Sequence, residues 1–264
     1  MRAAALLECV DVSVNYGGVC AVDRASLAVE PGQLVGLIGP NGAGKTSLVD
    51  AISGFVPIST GRVLFDGVDL ARSKPHQRAR AGLVRTFQSL ELFDDLSVRD
   101  NLLAASERPP WWRLAGEVAW PRLGRDQLAE IDGALESVGI AELAGRSPGE
   151  ISQGQRKLVA VARALATHPK LLLLDEPASG LDTDESAELG RRLRTLLDRG
   201  TSMLLVDHDM GLVLEVCDHL VVLDFGRVIA TGPPSVVRGD RSVIEAYLGE
   251  SLADTLDRVD GDAT

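Results

Sequence analysis

A glycine-rich stretch, GPNGAGKTS over residues 39–47, has the residue types and spacing of a phosphate-binding loop. It matches the pattern G-x-x-x-x-G-K-[ST] and lies between the apolar run LVGLI and the helical pattern KTSLVDAIS, the context that this motif requires. Glycines let successive backbone N–H groups converge on phosphate oxygens, and the following helix start adds the positive end of its dipole. We predict a bound nucleotide, with Lys45 at the outer phosphates and Thr46 offering its hydroxyl to Mg²⁺. The predicted nucleotide contacts in the loop are Gly39, Pro40, Asn41, Gly42, Ala43, Gly44, Lys45, Thr46 and Ser47.

The stretch LLLLDEPASGLD over residues 171–182 indicates what happens to the nucleotide. Its apolar run predicts a strand that delivers Asp175 and Glu176 to its carboxyl end, where parallel sheets bind their ligands. Asp175 suits a Mg²⁺ ligand, and Glu176 suits a general base that deprotonates a water for attack on the γ-phosphate. A kinase has no use for that water, and the guanine-reading string Asn-Lys-x-Asp of GTPases is absent. The two motifs predict ATP hydrolysis, and a plain acidic turn after a strand is the alternative.

Three further side chains could complete such a site. His208 ends the run MLLVDHD and could contact the γ-phosphate, although a lone histidine is more often structural. Gln88 follows LVRTF and could bind Mg²⁺ or the attacking water. Tyr16 precedes a Gly-Gly turn and could stack on adenine, or it could be an ordinary exposed turn residue.

The stretch EISQGQRKL over residues 150–158 raises a different question. Ser152 and Gln155 have the spacing of a capping box, which predicts that a helix begins here. Gly154 costs that helix about 1 kcal/mol relative to alanine, so its place in the first turn needs a reason. Close approach of the backbone to a ligand is one candidate reason.

The elements that must position these residues can be predicted from the apolar patterns. Period-two alternation on both sides of a Tyr-Gly-Gly turn predicts an antiparallel hairpin in the first thirty residues. The pattern TDESAELGRRLRTLLDRG predicts a helix, and strands alternating with helices predict an α/β fold with a mixed sheet that is largely parallel. The predicted buried strands are the apolar runs at residues 34–38, 171–174, 203–206 and 220–223.

Residues from about 90 to 165 contain no strand-like run and are predicted to form an inserted helical subdomain. All three tryptophans, Trp111, Trp112 and Trp120, fall inside it, where we expect a small hydrophobic cluster in preference to a docking site. The acidic residues 250–264 are predicted to be a mobile tail.

The composition indicates which partners and which compartment suit this protein. A net charge of −11 disfavours nucleic acid, because a local basic patch would have to attract the phosphates against the negative field of the whole protein. Three cysteines without close-spaced pairs fit a reducing compartment, and we expect a cytoplasmic protein. No run approaches the ~20 apolar residues of a membrane span, so a membrane role would require a partner.

Taken in order along the chain, these motifs resemble the nucleotide-binding subunits of ABC transporters over about residues 7–249. The matching features are Tyr16, GPNGAGKT, Gln88, ISQGQ, LLLLDE, SGLD and His208. The resemblance implies that residues 1–249 form one ABC-type domain with a P-loop (RecA-like) core. It also implies that Ser152, Gly154 and Gln155 form a signature motif facing ATP on a second subunit, and that Asp182 of SGLD lies near nucleotide. The usual signature is Leu-Ser-Gly-Gly-Gln, from which Ile151 and Gln153 depart.

Within that family, three longer stretches look most like the ATPase subunits of bacterial branched-chain amino acid importers, although importers of urea and other polar solutes have similar ATPases. The stretches are GLVRTFQSLELFDDLSVRDNLLAA, HDMGLVLEVCDHLVVLDFGRVIATG and VIEAYLGE. The implied partners are a second nucleotide-binding subunit, identical or paralogous, integral-membrane permease subunits and, indirectly, a periplasmic or surface solute-binding protein. The implied location is the inner face of the cell membrane.

Two alternatives remain open from the sequence. One is a soluble ABC ATPase for cofactor assembly, such as Fe–S assembly, and the other is a regulatory module without turnover, which Glu176 and His208 disfavour. A basic run also stands out in this acidic chain, and we expect a solvated helix face there in preference to a partner contact. Its residues are Arg72, Lys74, Arg78, Arg80 and Arg85.

Overall fold

A four-stranded antiparallel sheet begins the fold. The computed structural model describes residues 4–86, 92–106 and 125–247. The strands of this sheet are β1 (Leu7–Tyr16), β2 (Val19–Val29), β4 (Thr60–Phe65) and β5 (Val68–Asp69), in the spatial order β2-β1-β4-β5. Because β1 and β2 pair antiparallel around Gly17 and Gly18, the predicted hairpin is confirmed.

A second, six-stranded sheet carries the parallel part of the fold. Its strands are β3 (Leu34–Ile38), β6 (Leu83–Arg85), β7 (Leu171–Asp175), β8 (Ser202–Val206), β9 (His219–Asp224) and β10 (Arg227–Gly232). The spatial order is β10-β9-β3-β8-β7-β6, and every neighbouring pair is parallel except β10 and β9. The four buried strands predicted from apolar runs are therefore confirmed, and the sheet is mixed as expected.

Helices cover this sheet, and three of those in the described residues lie between β6 and β7 along the chain. They are α1 (Lys45–Ser53), α2 (Pro75–Ala81), α3 (Val98–Ser106), α4 (Arg125–Ser137), α5 (Gln153–Leu165), α6 (Thr183–Asp198), α7 (Met210–Val216) and α8 (Pro234–Val237), with residues 241–247 also helical. The predicted start of α6 is confirmed, because the Asp182 carboxylate accepts a hydrogen bond from the Glu185 N–H at 2.8 Å. No helix in the described ranges is both long and apolar enough to cross a membrane.

Two hydrophobic cores lie on the two faces of the parallel sheet. Alternate residues of β3 divide between them: Val35 and Leu37 join the core under the antiparallel sheet and α1, whereas Leu34 and Ile38 join the core with α3 to α7. Because both faces are covered, the central strands β3, β7 and β8 are apolar along most of their length, as a parallel sheet requires.

The register of the parallel strands brings their carboxyl ends to one edge. Leu37 of β3 pairs with Val206 at the end of β8, and Asp175 at the end of β7 pairs with the same Val206. The segments that follow these strands therefore emerge side by side, and they carry the phosphate loop, His208 and Glu176.

Candidate active site

The loop between β3 and α1 has glycines where other parts of the fold leave no room for a side chain. Gly39 and Gly44 have φ values of +146° and +99°. A Cβ on Gly39 would overlap the carbonyl oxygen of Leu223, and one on Gly44 would overlap that of Ala21. Gly42 also has a positive φ, of +76°, but a Cβ there would meet nothing within 4 Å. Gly39 and Gly44 thus allow the loop to pack against neighbouring backbone, whereas Gly42 lies on the open side of the loop.

Lys45 is buried with its ammonium inside this loop. Its Nζ donates hydrogen bonds to the carbonyl oxygens of Gly39 at 2.6 Å and Pro40 at 2.8 Å. The same residue begins α1, and Gly44 before it provides no side-chain cap for the helix. The first N–H groups of a helix have no partner within it, so this start can bind an anion. Thr46 is exposed in the first turn, and its neighbour Ser47 is half-buried.

Asp175, the predicted metal ligand, lies in a buried ion pair. Its Oδ2 accepts a hydrogen bond from Arg85 Nη2 at 2.6 Å, and the Arg85 Nη1 donates to Asp50 Oδ1 at 2.5 Å. The side chains of Arg85 and Asp175 are 7% and 6% exposed. The carboxylate of Asp175 and the hydroxyl of Thr46 are oxygen donors of the kind that Mg²⁺ prefers, so the residues present fit this ion.

Glu176, the predicted base, occupies a turn that is held from several sides. Its φ is +47°, a left-handed conformation that non-glycine residues rarely adopt. Its N–H donates to the Val206 carbonyl oxygen at 2.7 Å, which ties the turn to the end of β8. Its Oε2 lies 4.0 Å from His208 Nδ1, so the structure brings these two predicted catalytic residues together.

Asp207 is a residue of this site that the sequence analysis missed. It is buried, its Oδ1 accepts hydrogen bonds from the His208 and Asp209 N–H groups, and its Oδ2 accepts one from Ala178 N–H at 2.9 Å. The carboxylate therefore joins the turn after β7 to the turn after β8. The signal was present in the sequence, since Asp207 immediately precedes His208 at the end of a buried strand.

The start of α5 forms the predicted capping box. Ser152 Oγ accepts from the Gln155 N–H at 3.2 Å, and Gln155 Oε1 accepts from the Ser152 N–H at 2.9 Å. Ser152 Oγ also lies 3.5 Å from Glu185 Oε1, and a Cβ on Gly154 would lie 2.8 Å from that oxygen. The helix start thus packs against the first turn of α6 in its own chain, which is a second reason for a glycine here. A ligand contact by Gly154 stays a prediction.

The remaining predicted residues fall into two groups. Tyr16 lies at the end of β1 and is 47% exposed, and Asp182 caps α6 from an exposed position. Gln88 lies outside the described residues. So do the tryptophan segment and the acidic tail.

The expectation of a solvated basic face is wrong for two of its five residues. Arg78 is buried and donates to the carbonyl oxygens of Ala51, Ile52 and Leu70, so it binds the end of α1. Arg85 is the partner of Asp175 described above. The charges are not solvated there because backbone and carboxylate oxygens replace water as acceptors. Arg72, Lys74 and Arg80 are exposed, as expected.

Comparison with known proteins identifies the family of this chain. The sequence profile described as ABC transporter matches residues 22–179, and the profile described as branched-chain amino acid ATP-binding cassette transporter matches residues 227–253. The chain is 38% identical to the high-affinity branched-chain amino acid transport ATP-binding protein BraF of Pseudomonas aeruginosa, over 93% of this chain and 98% of the relative. It is 37% identical to the LivG protein of the same description from Escherichia coli, with the same coverage.

A solved structure has the same fold. The ADP conformation of MJ1267, an ATP-binding cassette of an ABC transporter, superposes with a TM-score of 0.84 at 32% identity, over 94% of this chain and all of that one. The resemblance read from the motifs is thereby confirmed, together with the P-loop α/β fold. The chain belongs to the ABC transporter family, as one of its ATP-hydrolysing nucleotide-binding subunits.

Proposed function

We propose that this chain is the ATPase subunit of an importer of branched-chain or other amino acids, working on the inner face of the cell membrane with a separate permease. The observation that carries the proposal is the distance of 4.0 Å between Glu176 Oε2 and His208 Nδ1. The two residues lie at the edge of the sheet where the phosphate loop also begins. The names of the two relatives, and the match of the branched-chain profile at residues 227–253, support the choice of solute.

The residues around the sheet edge divide the chemistry between them. Lys45 and the first N–H groups of α1 bind the phosphates of ATP, with Gly42 at the open side of the loop. Thr46, Asp175 and Gln88 are the oxygen donors for Mg²⁺, which when bound neutralises phosphate charge. Glu176 takes the proton of the attacking water, and His208 beside it contacts the γ-phosphate.

The other half of the site comes from a second subunit, identical or paralogous. The exposed start of α5 offers the Ser152 hydroxyl and backbone N–H groups, and these address the γ-phosphate of ATP bound on the partner. Gly154, Gln155 and Asp182 complete the proposed nucleotide contacts, and Tyr16 stacks on the adenine of its own chain's ATP. ATP closes this dimer and hydrolysis reopens it, and the permease is moved by that cycle. The partners are thus a second ATPase subunit, permease subunits and, indirectly, a solute-binding protein, with no nucleic acid.

Purification from a detergent extract tests the transport role. A tagged chain should recover a permease with several membrane spans, and the assembly reconstituted in liposomes should take up labelled leucine when ATP is supplied on the subunit's side. The matched control is Glu176→Gln, which keeps the side-chain shape and should slow hydrolysis at least ~10²-fold and abolish uptake. Recovery of soluble cofactor-assembly proteins without a permease would favour the alternative ABC ATPase role. ATP hydrolysis without uptake of leucine, isoleucine or valine would reject branched-chain amino acids as the solute.

A further inference from the structure

Lys157 is a buried side chain to which the proposed function gives no role. It lies on α5, five positions after Ser152, and is 7% exposed. Its Nζ donates hydrogen bonds to two carbonyl oxygens of the turn after β7, that of Glu176 at 3.4 Å and that of Ser179. The ammonium group therefore binds the turn that contains Glu176, the proposed base.

The Lys157 ammonium is buried close to two carboxylates. Burial lowers the pKa of Lys157 because the ammonium loses water, while the nearby Asp207 and Glu176 carboxylates act in the opposite direction. A buried ammonium needs acceptors in place of water, and both carbonyl acceptors here belong to one turn. Shortening or neutralising this side chain would remove the charged donor from that turn.

The turn depends on such support because Glu176 has an unfavourable backbone conformation. A left-handed φ of +47° at a non-glycine residue persists only where the surrounding structure holds it. On the N-terminal side, the Glu176 N–H is held by the Val206 carbonyl oxygen. On the C-terminal side, the Glu176 carbonyl oxygen accepts from the Ser179 N–H at 3.2 Å and from Lys157.

We propose that Lys157 is a positioning residue for Glu176, fixing the peptide after the base so that its carboxylate points at the attacking water. The proposal rests on the proposed function, in which Glu176 is the base. Lys157 also lies on the helix that is capped by Ser152, the residue assigned to the partner's ATP. One side chain thus joins the signature helix to the turn that carries the base for the chain's own ATP.

A purely structural role predicts a different outcome. If Lys157 only held α5 to the core, its loss would lower stability and leave turnover per folded molecule unchanged. If it positions Glu176, kcat should fall while ATP affinity is retained, because the phosphate loop and α1 do not contact Lys157 through any of the hydrogen bonds described above.

The test compares Lys157→Met with Lys157→Arg, measuring kcat, ATP affinity by calorimetry and melting temperature. Lys157→Met should lower kcat by ~10- to 10²-fold, the cost of a slightly misplaced catalytic group, with ATP affinity within about twofold of wild type. Lys157→Arg should recover most of kcat, because guanidinium also donates to carbonyl oxygens. Lys170→Met is the matched control: Lys170 lies just before β7, is exposed and pairs with Asp66 at 2.6 Å, so its loss should leave kcat unchanged.

A wild-type kcat in folded Lys157→Met would overturn the proposal, as would a loss confined to ATP affinity or to melting temperature. If the methionine variant does not fold, Lys157→Gln carries the same test, since it keeps a donor without the charge. Its kcat should fall at unchanged ATP affinity, and a wild-type kcat there would equally reject the role.

A final comparison separates Lys157 from the signature motif and from the proposed function. The double variant Lys157→Met/Glu176→Gln should dimerise on ATP as well as Glu176→Gln does, and weaker dimerisation at unchanged melting temperature would mean that Lys157 acts through Ser152. Near-normal turnover of Glu176→Gln would remove the base assignment itself. An inactive Glu176→Gln beside a fully active Lys157→Met would leave that assignment intact and reject only the role of Lys157.

Discussion

Arg85 donates a hydrogen bond to Asp175 at 2.6 Å, in an ion pair whose two side chains are each more than nine-tenths buried. The residues are 90 positions apart in sequence, and they meet because β6 and β7 are neighbours in the parallel sheet. Arg85 also lies over the Phe55 ring, at 5.9 Å from its centroid, and binds Asp50 of α1. The guanidinium thus connects the predicted metal ligand to the helix that follows the phosphate loop.

Arg85→Met should reduce the free energy of unfolding by about 3 kcal/mol, because it leaves the buried Asp175 carboxylate without its counter-ion. Urea denaturation measures the change. Arg80→Met is the matched control, since Arg80 is exposed on α2 and its loss should cost less than about 0.5 kcal/mol. Equal effects of the two substitutions would contradict the importance of the ion pair.

Gly44→Ala should destabilise the protein more than Gly42→Ala does. Both glycines have a positive φ, so both substitutions carry the backbone strain of about 1–2 kcal/mol. Only Gly44 faces a backbone carbonyl that a Cβ would overlap, whereas Gly42 faces open space. Urea denaturation without nucleotide should therefore place Gly42→Ala above Gly44→Ala in stability, and the reverse order would show that the loop has a different shape.

Thiol labelling should find one fast-reacting cysteine in the native protein. Cys20 is exposed on β2, whereas Cys9 and Cys217 are buried. Burial raises the pKa of Cys9 to about 12 and that of Cys217 in the same direction, so both have little reactive thiolate near pH 8. Mass spectrometry after brief labelling should show one modification, at Cys20. Rapid modification of Cys9 without unfolding would contradict the packing of β1.

The same label can report on Tyr16. Cys20 pairs with Asn15, the neighbour of Tyr16, across the hairpin. If Tyr16 stacks on adenine, Mg-ATP should slow the labelling of Cys20, and Tyr16→Ala should lose part of that protection. An unchanged labelling rate at saturating ATP would place the adenine elsewhere.

Local patterns were sufficient to predict the phosphate loop, the strand ending at Asp175 and the capping box at Ser152. Each of these depends on residues that are close in sequence, so spacing alone carries the information. Arg85 and Lys157 could not be placed in the same way, because each acquires its partners through long-range packing. The contact of Asp207 with Ala178 is of the same kind, although its position next to His208 was visible in the sequence. The prediction for the basic run was wrong for the same reason. Charges that are close in sequence predict a solvated surface, but Arg78 and Arg85 donate to oxygen acceptors in the interior.

Mixing two inactive variants tests whether sites are shared between subunits. In a heterodimer of Lys45→Ala and Ser152→Ala, one site combines an intact phosphate loop with an intact signature, and the opposite site carries both lesions. Native mass spectrometry should first show that heterodimers form. ATPase activity should then return in part, and mixed dimers as inactive as their components would oppose a shared site that can act alone.

An active site completed by a second subunit is tested most directly by ATP turnover per folded molecule of Ser152→Ala, compared with Ser97→Ala. Both serines cap a helix, since Ser97 Oγ accepts from the Asp100 N–H at 3.1 Å before α3, so each substitution should cost ~1 kcal/mol of stability. Turnover should collapse in Ser152→Ala and stay at the wild-type rate in Ser97→Ala. Wild-type turnover in Ser152→Ala would show that the start of α5 is a helix cap alone, and it would contradict an active site completed by a second subunit.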